Sequence, residues 1–435
     1  MPKLSIIRLS IAIVIIIKFC IPKVTAQENL RITLDSARHH ALEHNKQLIN
    51  AGLAIEEAGL SLRETIAGGL PQLNAEADYS YYFESTATIG MGPQEMEITF
   101  DPTSNLVLSA GQMIFRGTYF VGVQMARLYK EVSETSHQRT RIEVLAQVTQ
   151  AYYLGLVSMQ SKDLIATNLD NMEEILEKTR AMVDAGIVEE LDYDQLSVQA
   201  FMLEDALRDA EKQVELAINM LRVQMGIGVD KEIELTDNLD DILEMADFEG
   251  SLLNPFRIED NIDFKMMELQ TGIAEKHVDM ERAAYLPSAN GFYTYTRKLL
   301  EPEFDITPNH VLGFNVSIPI FSSGQRRFRV SQARVNLKTV ENEKDLLSDQ
   351  LRIEERQLRF NLRNALKRYE SMQANVKVAR RVYEDTYARY EHGLASSIDV
   401  TTTHNTYLEA ENSYISAVLQ LLEAHIEMDK LLNDI

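Results

Sequence analysis

Cysteine, tryptophan, proline and glycine are all scarce in this chain of 435 residues. Cys20 is its one cysteine, so no disulfide can form within the chain. It has no tryptophan, and only 10 prolines and 19 glycines are present to interrupt regular structure. This usage favours long helices over a compact mixed fold.

Basic residues are also under-represented. The chain has 43 Lys and Arg against 66 Asp and Glu, a net charge of −23. A protein that binds nucleic acid needs the opposite sign, so that class is excluded. The phosphate-loop, HExxH and GxSxG motifs are missing, which argues against an enzyme and against a bound cofactor. His40 and His44 are four residues apart on a predicted helix but lack a third ligand, so we predict a solvated face and no metal.

Long hydrophobic runs are missing as well. The apolar run Leu9–Ile17 is nine residues long, against the ~20 that a spanning helix needs. Basic residues precede it and Ala26 follows, which predicts a signal peptide over residues 1–26, cleaved near Ala26. Lys18 and Phe19 stand before Cys20 where a lipoprotein has small residues, so lipidation is not expected. Cleavage leaves 39 basic and 66 acidic residues, a net charge of −27.

Four segments alternate apolar and polar residues with a period of two, the pattern of a strand with one apolar face. The predicted strands cover about 72–84, 104–116, 288–298 and 310–321. Their apolar faces carry, in order, Leu73, Ala75, Ala77, Tyr79, Tyr81 and Phe83; Leu106, Leu108, Ala110 and Ile114; Ala289, Gly291, Tyr293 and Tyr295; and Leu312, Phe314, Val316, Ile318 and Ile320. The segment between the first two strands, with two glycines and two prolines, is predicted to be a loop.

The remainder is predicted to be helical and is built twice. The first repeat, 27–226, has a helix from Leu30 to about Ala67, the two strands, a long helix to 184, a tip loop at 185–191 and a helix to 226. An irregular linker, 227–257, precedes the second repeat, 258–435, with its own helix, strands, long helix to 392, tip loop at 393–398 and helix to 432. Pro71 and Pro287 lie 216 residues apart, Phe115 and Phe321 lie 206 apart, and Gly186 and Gly393 lie 207 apart. These similar offsets indicate an internal duplication.

The lengths of these elements restrict the possible architectures. A helix of about 67 residues is ~100 Å long and needs partners of its own length. Its narrow apolar seam in the second repeat predicts side-by-side helix packing, through Leu358, Leu362, Leu366, Tyr369, Met372, Val376, Ala379, Tyr383, Tyr387 and Tyr390. Strands of ten to twelve residues match a tilted membrane strand, but four of them cannot close a barrel, so several copies are required. The alternative is an elongated soluble periplasmic helical protein with a small sheet.

The sequence resembles the TolC family of outer-membrane efflux proteins from about Leu30 to Leu432. The motif YxxGxxSxxDV carries the resemblance through Tyr390, Gly393, Ser396, Asp399 and Val400, and an IFxxG turn is present at Ile320, Phe321 and Gly324. The resemblance implies a homotrimer whose 12-stranded outer-membrane β-barrel continues as a periplasmic α-helical barrel. It also implies a passive exit channel that docks a periplasmic adaptor and serves an inner-membrane pump. Efflux of small molecules and type I protein secretion both fit this family.

The resemblance also implies roles for individual residues. Candidate gate or pore-lining residues are Asp399, Asp192, Glu189, Glu190, Thr402 and Tyr390, and candidate adaptor-docking residues are Gly186, Ile187, Gly393 and Leu394. Candidates for an aromatic girdle in the outer-membrane lipid are Tyr79, Tyr81, Phe83, Tyr293 and Tyr295, although sheet packing explains them too.

Two positions depart from the best-known pattern of the family. Thr402 replaces a second acidic ring, and Ala395 replaces a basic residue that locks the gate in some members. For Asp192 and Asp399 a simpler role is to cap the helices that follow, and the two glycines suit left-handed helix ends.

Overall fold

The structure is a computed structural model that describes residues 30–83, 86–91, 94–99, 101–300 and 307–435. The predicted signal peptide, residues 1–26, lies outside the described residues. Within the described ranges, none of the helices combines the length and the apolar character needed to cross a membrane.

Helices and short sheets alternate along the chain. The strands are β1 (Leu30–Ile32), β2 (Gln72–Ser80), β3 (Thr86–Met91), β4 (Gln94–Thr99), β5 (Thr103–Arg116), β6 (Ile233–Leu235), β7 (Ser288–Leu300) and β8 (His310–Ser317). The helices are α1 (Leu34–His44), α2 (Lys46–Ala67), α3 (Gly117–Asp184), α4 (Glu190–Met225), α5 (Leu239–Met245), α6 (Phe248–Leu253), α7 (Ile262–Ala283), α8 (Gln325–Glu391) and α9 (Ser397–Leu432). The contacts divide the chain into two compact units.

One unit comprises residues 46–146, 248–366 and 424–435 and contains the four-stranded sheet. Its strands pair antiparallel in the order β2-β5-β7-β8. Leu73, Ala110, Tyr293 and Leu312 lie opposite one another across all four strands, so they share one face of the sheet. The predicted apolar face is therefore confirmed across the sheet, and β2 and β8 are its two edges.

A bulge changes one detail of the predicted face. The register of β5 against β7 shifts between Met113 and Phe115, and Phe115 takes the position opposite Ala289. Ile114, which we predicted on the apolar face, falls within this bulge instead. A bulge places two residues of one strand against one of its partner, so strict alternation ends there.

The prediction of a loop between the first two strands was wrong in part. β3 and β4 form an antiparallel hairpin with Met91 opposite Gln94. Gly90 lies within β3, so a glycine in this segment does not prevent strand pairing.

The other unit comprises the described residues up to 45, together with 147–247 and 367–423. Leu30–Ile32, predicted to be helical, is a strand that pairs parallel with β6. The Tyr152 hydroxyl is buried here and lies 3.0 Å from the carbonyl oxygen of Ile32 and 2.9 Å from Asp237 Oδ2. Burial beside this carboxylate raises the pKa of Tyr152.

The segments between the repeats are more ordered than predicted. Residues 227–257, predicted to be irregular, contain β6, α5 and α6.

The first predicted helix is broken at Asn45, whose side-chain amide donates to the carbonyl oxygen of Gln224 at 2.6 Å. A polar side chain that satisfies the backbone of another element can end a helix where composition alone predicts that it continues.

The two long helices are confirmed as continuous elements of 68 and 67 residues. All ten seam residues predicted on α8 are buried or half-buried, and none is exposed. Side chains at both ends of the seam enter hydrophobic clusters, Leu358 with Phe264 and Leu351, and Tyr387 with Met172 and Leu196. The period of 3.6 residues therefore identified the packed face correctly.

Candidate functional site: the paired tip loops

Each long helix ends in the same hydrogen-bonded turn. The Gly186 N–H donates to the Val183 carbonyl and the Ile187 N–H to the Met182 carbonyl, at 2.8 and 2.9 Å. This pair of bonds is a Schellman motif, in which the glycine takes the left-handed conformation. Gly186 has φ of 69° and no neighbouring atoms within reach of a Cβ, so glycine is required here by the backbone and not by space.

The second loop repeats these contacts at an offset of 207. The Gly393 N–H donates to Tyr390 and the Leu394 N–H to Arg389, both at 2.8 Å, and Gly393 also has φ of 69°. We call residues 185–189 and 392–396 tip loop 1 and tip loop 2. Both are shorter than predicted, because the following helices begin earlier.

The prediction that Asp192 and Asp399 are N-caps was wrong. The caps are Glu189 and Ser396, and each Asp is the third residue of its helix. Asp192 Oδ2 accepts from the Glu189 N–H at 3.1 Å, and Asp399 Oδ2 accepts from the Ser396 N–H at 3.0 Å. Each carboxylate thus supplies the returning half of a capping box, which satisfies the backbone just before the helix.

Contacts within the subunit join the two tip loops. The Ser397 hydroxyl, 1% exposed, donates to Asp192 Oδ1 and lies 3.3 Å from Gln195 Oε1. The hydroxyls of Thr179 and Tyr390 are both buried and share a hydrogen bond of 3.1 Å. These bonds connect the helical hairpin α3–α4 to the hairpin α8–α9.

Lys178 adds a third connection at the surface. Its ammonium group lies 3.0 Å from Glu391 Oε1, 3.1 Å from the Tyr387 hydroxyl and 3.0 Å from Glu174 Oε1. These hydrogen bonds, led by the one to Tyr387, raise the pKa of Lys178. We refer to the contacts of Lys178, Thr179 and Ser397 with their partners as the interhairpin clamp.

The acidic gate candidates differ in which side chains contact their carboxylates. Asp192 is held by Ser397, and Glu190 accepts from Arg180 at 2.7 Å. Asp399 is exposed, and within the described ranges no basic side chain pairs with it. The Ser396 backbone N–H, followed by its hydroxyl, lowers the pKa of Asp399, so this carboxylate remains ionised.

The remaining gate candidates are less suited than Asp399 to line a pore. Thr402 is exposed, but its hydroxyl donates to the Ile398 carbonyl at 2.7 Å. Glu189 is exposed as the cap of α4. Tyr390 is 4% exposed and faces Thr179, so we assign it to the interhairpin clamp and not to a pore lining.

Exposed aliphatic side chains surround the two tip loops. Ile187 is 65% exposed and Leu394 is 77% exposed, as expected of docking residues. Leu191 and Ile398, which our sequence reasoning missed, are 59% and 60% exposed. They too are 207 residues apart, so an aliphatic pair repeated at the duplication offset is the signal that could have found them.

The girdle candidates lie at two heights of the sheet. Tyr79 lies opposite Ser104, at the end of the sheet where β2 leaves it, and Tyr81 and Phe83 follow with their rings 5.5 Å apart. Tyr293 and Tyr295 lie in the rows of Leu73 and Ala75, four to six residues closer to the start of β2. At ~3.3 Å per residue these levels are ~13 to 20 Å apart, so the five aromatics do not form one ring.

The two histidines of α1 contact each other and the end of α4. Their rings stack with centroids 4.2 Å apart, and His40 Nδ1 lies 3.0 Å from the carbonyl oxygen of Met225. Across the described part of the chain, no group of three or more His, Cys, Asp or Glu is arranged to hold a metal ion.

His404 of α9 is unusual because it is a buried histidine without a hydrogen-bond partner. It lies five residues after Asp399, is fully buried, and neither ring nitrogen has a hydrogen-bond partner. Tyr383 from α8 contacts its ring at a centroid distance of 5.0 Å, and Tyr407 stacks on Tyr383. Burial lowers the pKa of His404 to about 4.

This burial predicts a pH-dependent stability. The unfolded chain binds a proton near the ordinary histidine pKa of about 6.5, whereas the folded chain binds it only near 4. Stability is therefore complete above about pH 6.5 and falls as the pH drops to 4, by roughly 3 kcal/mol per subunit. We expect His404→Phe to remove this part of the pH dependence, measured as the free energy of unfolding at pH 7 and pH 4.5. His39→Phe, at an exposed histidine, is the control, and equal pH slopes in wild type and His404→Phe would contradict the prediction.

Together, the two helical hairpins, the sheet with one apolar face and the paired tip loops form a fold that is shared with solved outer-membrane channels. For the outer-membrane channel CmeC of Campylobacter jejuni the TM-score is 0.72 at 17% identity, over 92% of this chain and 85% of that one.

Sequence comparison gives the family. The family model of the outer membrane efflux proteins matches residues 37–226 and 258–434. The chain belongs to this family and is an efflux channel of the outer membrane, not an enzyme. The two matched segments correspond to the two repeats.

Two relatives are similar over most of their length. The pyoverdine export outer membrane protein OpmQ of Pseudomonas aeruginosa is 22% identical over 406 residues, covering 92% of this chain and 84% of OpmQ. The probable outer membrane lipoprotein SilC of Salmonella typhimurium is 21% identical over 393 residues, covering 85% of this chain and 80% of SilC. Family membership sets aside the alternative of a soluble periplasmic structural protein.

Proposed function

We propose that three copies of this chain form a passive exit duct of a tripartite efflux system, gated at the tip loops. The observation that carries the proposal is the pair of free sheet edges. Among the described residues, β2 and β8 each pair on one side only, and in the order β2-β5-β7-β8 their directions are opposite. An open edge is not tolerated in lipid, and β8 of one copy can pair antiparallel with β2 of the next. Three copies then supply twelve strands, an even number within the range of membrane barrels.

The signal peptide fits this location. Residues 1–26 carry the export signal, and we propose that it is cleaved after Ala26 during transfer to the periplasm. The apolar sheet face then contacts the outer-membrane lipid.

The tip loops serve a periplasmic adaptor in this proposal. Each loop and the first turn of the helix after it present two exposed aliphatic side chains, Ile187 with Leu191 and Leu394 with Ile398. Gly186 and Gly393 hold the turns from which these side chains project. Exposed apolar side chains at the end of an acidic helical hairpin are suited to burial by a partner protein. The adaptor connects the duct to an inner-membrane pump, which selects the cargo.

Asp399 is the residue that we propose for the gate. In a trimer it contributes three ionised carboxylates, and no basic side chain in the described part of its own subunit competes for them. A ring of this kind attracts cations and repels anions. Asp192 contributes less, because it is half-buried whereas Asp399 is exposed.

The function is tested by conductance in a planar lipid bilayer. We expect discrete channels that favour cations, and in Asp399→Asn a fall of about fivefold in the cation-to-anion permeability ratio, since three screened carboxylates attract a cation by ~1 kcal/mol. Glu409→Gln, which removes an exposed carboxylate from the same helix, is the matched control. A monomeric protein that gives no conductance would refute the proposal.

A further inference from the structure

The two places where a strand leads into a long helix lie at the same end of the sheet. Arg116, the last residue of β5, lies opposite Ser288 of β7, and Ser288 lies opposite Ser317, the last residue of β8. Helix α3 begins directly after Arg116, and α8 begins eight residues after Ser317. Both junctions therefore lie at one end of the sheet, within a single compact unit.

The second junction turns sharply. Ser323 and Gly324 both have positive φ, 49° and 83°, and the Gln325 N–H donates to the Ser322 carbonyl at 2.9 Å. The ring of Phe328 covers this turn, 3.2 Å from the position that a Cβ of Gly324 would occupy. The ring therefore points back along α8 towards the strands, the usual direction of helical side chains.

Arginines are concentrated at these junctions, although the chain as a whole is acidic. Besides Arg116, the first turns of α8 carry Arg326, Arg327 and Arg329. Within the described ranges none of the four forms an ion pair or a side-chain hydrogen bond. By contrast, Arg282 at the end of α7 pairs with Asp279 at 3.5 Å. The three arginines of α8 are therefore available to an external anion, whereas Arg116 follows Phe115 in β5 and points to the polar face of the sheet.

Exposed apolar side chains accompany these arginines. Ile320 is 93% exposed, Phe321 is 84% exposed and Phe328 is 68% exposed. At 100° per residue, Arg327 and Arg329 flank Phe328 on the helix. Aromatic and aliphatic groups next to guanidinium groups are complementary to the boundary between acyl chains and lipid phosphates.

The height of the junction agrees with this boundary. Tyr79 lies in the row of Leu300, and Phe115 lies in the row of Ala289, eleven residues along β7. Eleven residues at ~3.3 Å span ~36 Å, or ~28 Å of height for a strand tilted by ~40°. The apolar band of outer-membrane barrels is ≈25 Å tall, with aromatic residues at both boundaries. The next row of the sheet, which ends β8 at Ser317, lies at the level of the phosphates, and α8 begins eight residues after it.

We propose that Arg326, Arg327 and Arg329 form a binding surface for the phosphate groups of anionic glycerophospholipids. Ile320, Phe321 and Phe328 enter the adjacent acyl region. Guanidinium groups bind phosphate oxygens in bidentate fashion, which favours arginine over lysine at such a surface. The inference rests on the proposed function, because it requires the strands to span a membrane.

The test compares lipid enrichment by wild type and by R326Q/R327Q/R329Q. Both proteins are reconstituted in vesicles of phosphatidylcholine with phosphatidylglycerol, extracted, and their retained lipids quantified by mass spectrometry. We expect wild type to retain phosphatidylglycerol on the order of tenfold above its bulk fraction, since each basic residue near the surface adds attraction for anionic lipid. We expect the triple variant to lose most of this enrichment.

The matched control is R352Q/R356Q/R363Q, which removes three exposed arginines from the same helix. We expect it to retain the enrichment. Equal losses in the two triple variants, or no enrichment by wild type, would overturn the lipid surface.

Subunit assembly and conductance are measured on all three proteins. A triple variant at the junction that fails to trimerise in either lipid would show that the surface is a subunit contact, and would overturn the proposal. A wild type that conducts without enriching phosphatidylglycerol overturns the lipid surface alone. A wild type that conducts in neither lipid refutes the exit duct and the lipid surface with it.

Discussion

Leu108→Arg is expected to prevent assembly of the channel in the membrane. Leu108 lies on the apolar face of β5 opposite Tyr295, which is six residues from the row of Phe115 and five from that of Tyr79. This row is therefore near the middle of the proposed membrane band. An arginine on the lipid face at this depth costs about 2–4 kcal/mol per strand, and a trimer contains the substitution three times. The measurement is the fraction of folded trimer recovered in membranes, by gel mobility without boiling.

Ser109→Arg is the matched control for this prediction. Ser109 is adjacent to Leu108 in the same strand, so its side chain points to the opposite face of the sheet. We expect Ser109→Arg to fold, because the polar face borders the water-filled interior. If both arginine variants assemble equally well, the assignment of the lipid face is wrong.

Tyr390→Phe is expected to open the gate. The substitution removes the hydrogen bond to Thr179 and leaves the buried Thr179 hydroxyl without its partner. The cost is at least ~1 kcal/mol per subunit, or about 3 for a trimer that opens by separating its hairpins. Since each 1.4 kcal/mol is tenfold, we expect an increase in open probability on the order of 100-fold. Single-channel recording measures it.

Tyr383→Phe is the control for the gate. It removes the same hydroxyl group from the same helix, and Tyr383 contacts His404 and Tyr407 through its ring. Ring contacts survive the change to phenylalanine, so we expect the open probability to stay near that of wild type. If Tyr390→Phe also behaves like wild type, the bond between Thr179 and Tyr390 does not hold the gate closed.

The repetitive elements of this fold were predictable from the sequence. The period of two located the apolar sheet face, and the period of 3.6 located the seam of α8, because each follows from the geometry of one element. The duplication offset located both tip loops. Each of these features can be recognised without knowing which segments of the chain are in contact.

Features that depend on two distant segments were not predictable. The strand Leu30–Ile32 forms only because β6 pairs with it. The bulge at Ile114 is fixed by the register against β7. At the site, the burial of Tyr390 and the bond between Ser397 and Asp192 require the two hairpins to be in contact, which no single motif encodes. The capping error had a local cause, since an Asp three residues into a helix and an Asp at its start have similar sequence signatures.

Because the helices of the two hairpins end in the same way, the two tip loops can be exchanged for one another. Gly226 follows the last residue of α4, and Asn433 follows the last residue of α9. Both residues have positive φ, and they lie 207 residues apart, which is also the offset between the two tip loops. Exchanging residues 185–189 with 392–396 would keep every hydrogen-bonded turn, because each turn is closed by backbone groups and a left-handed glycine. Loop chemistry can therefore be transplanted between the halves of one subunit, which offers a route to channels whose six loops carry a chosen pattern of charge.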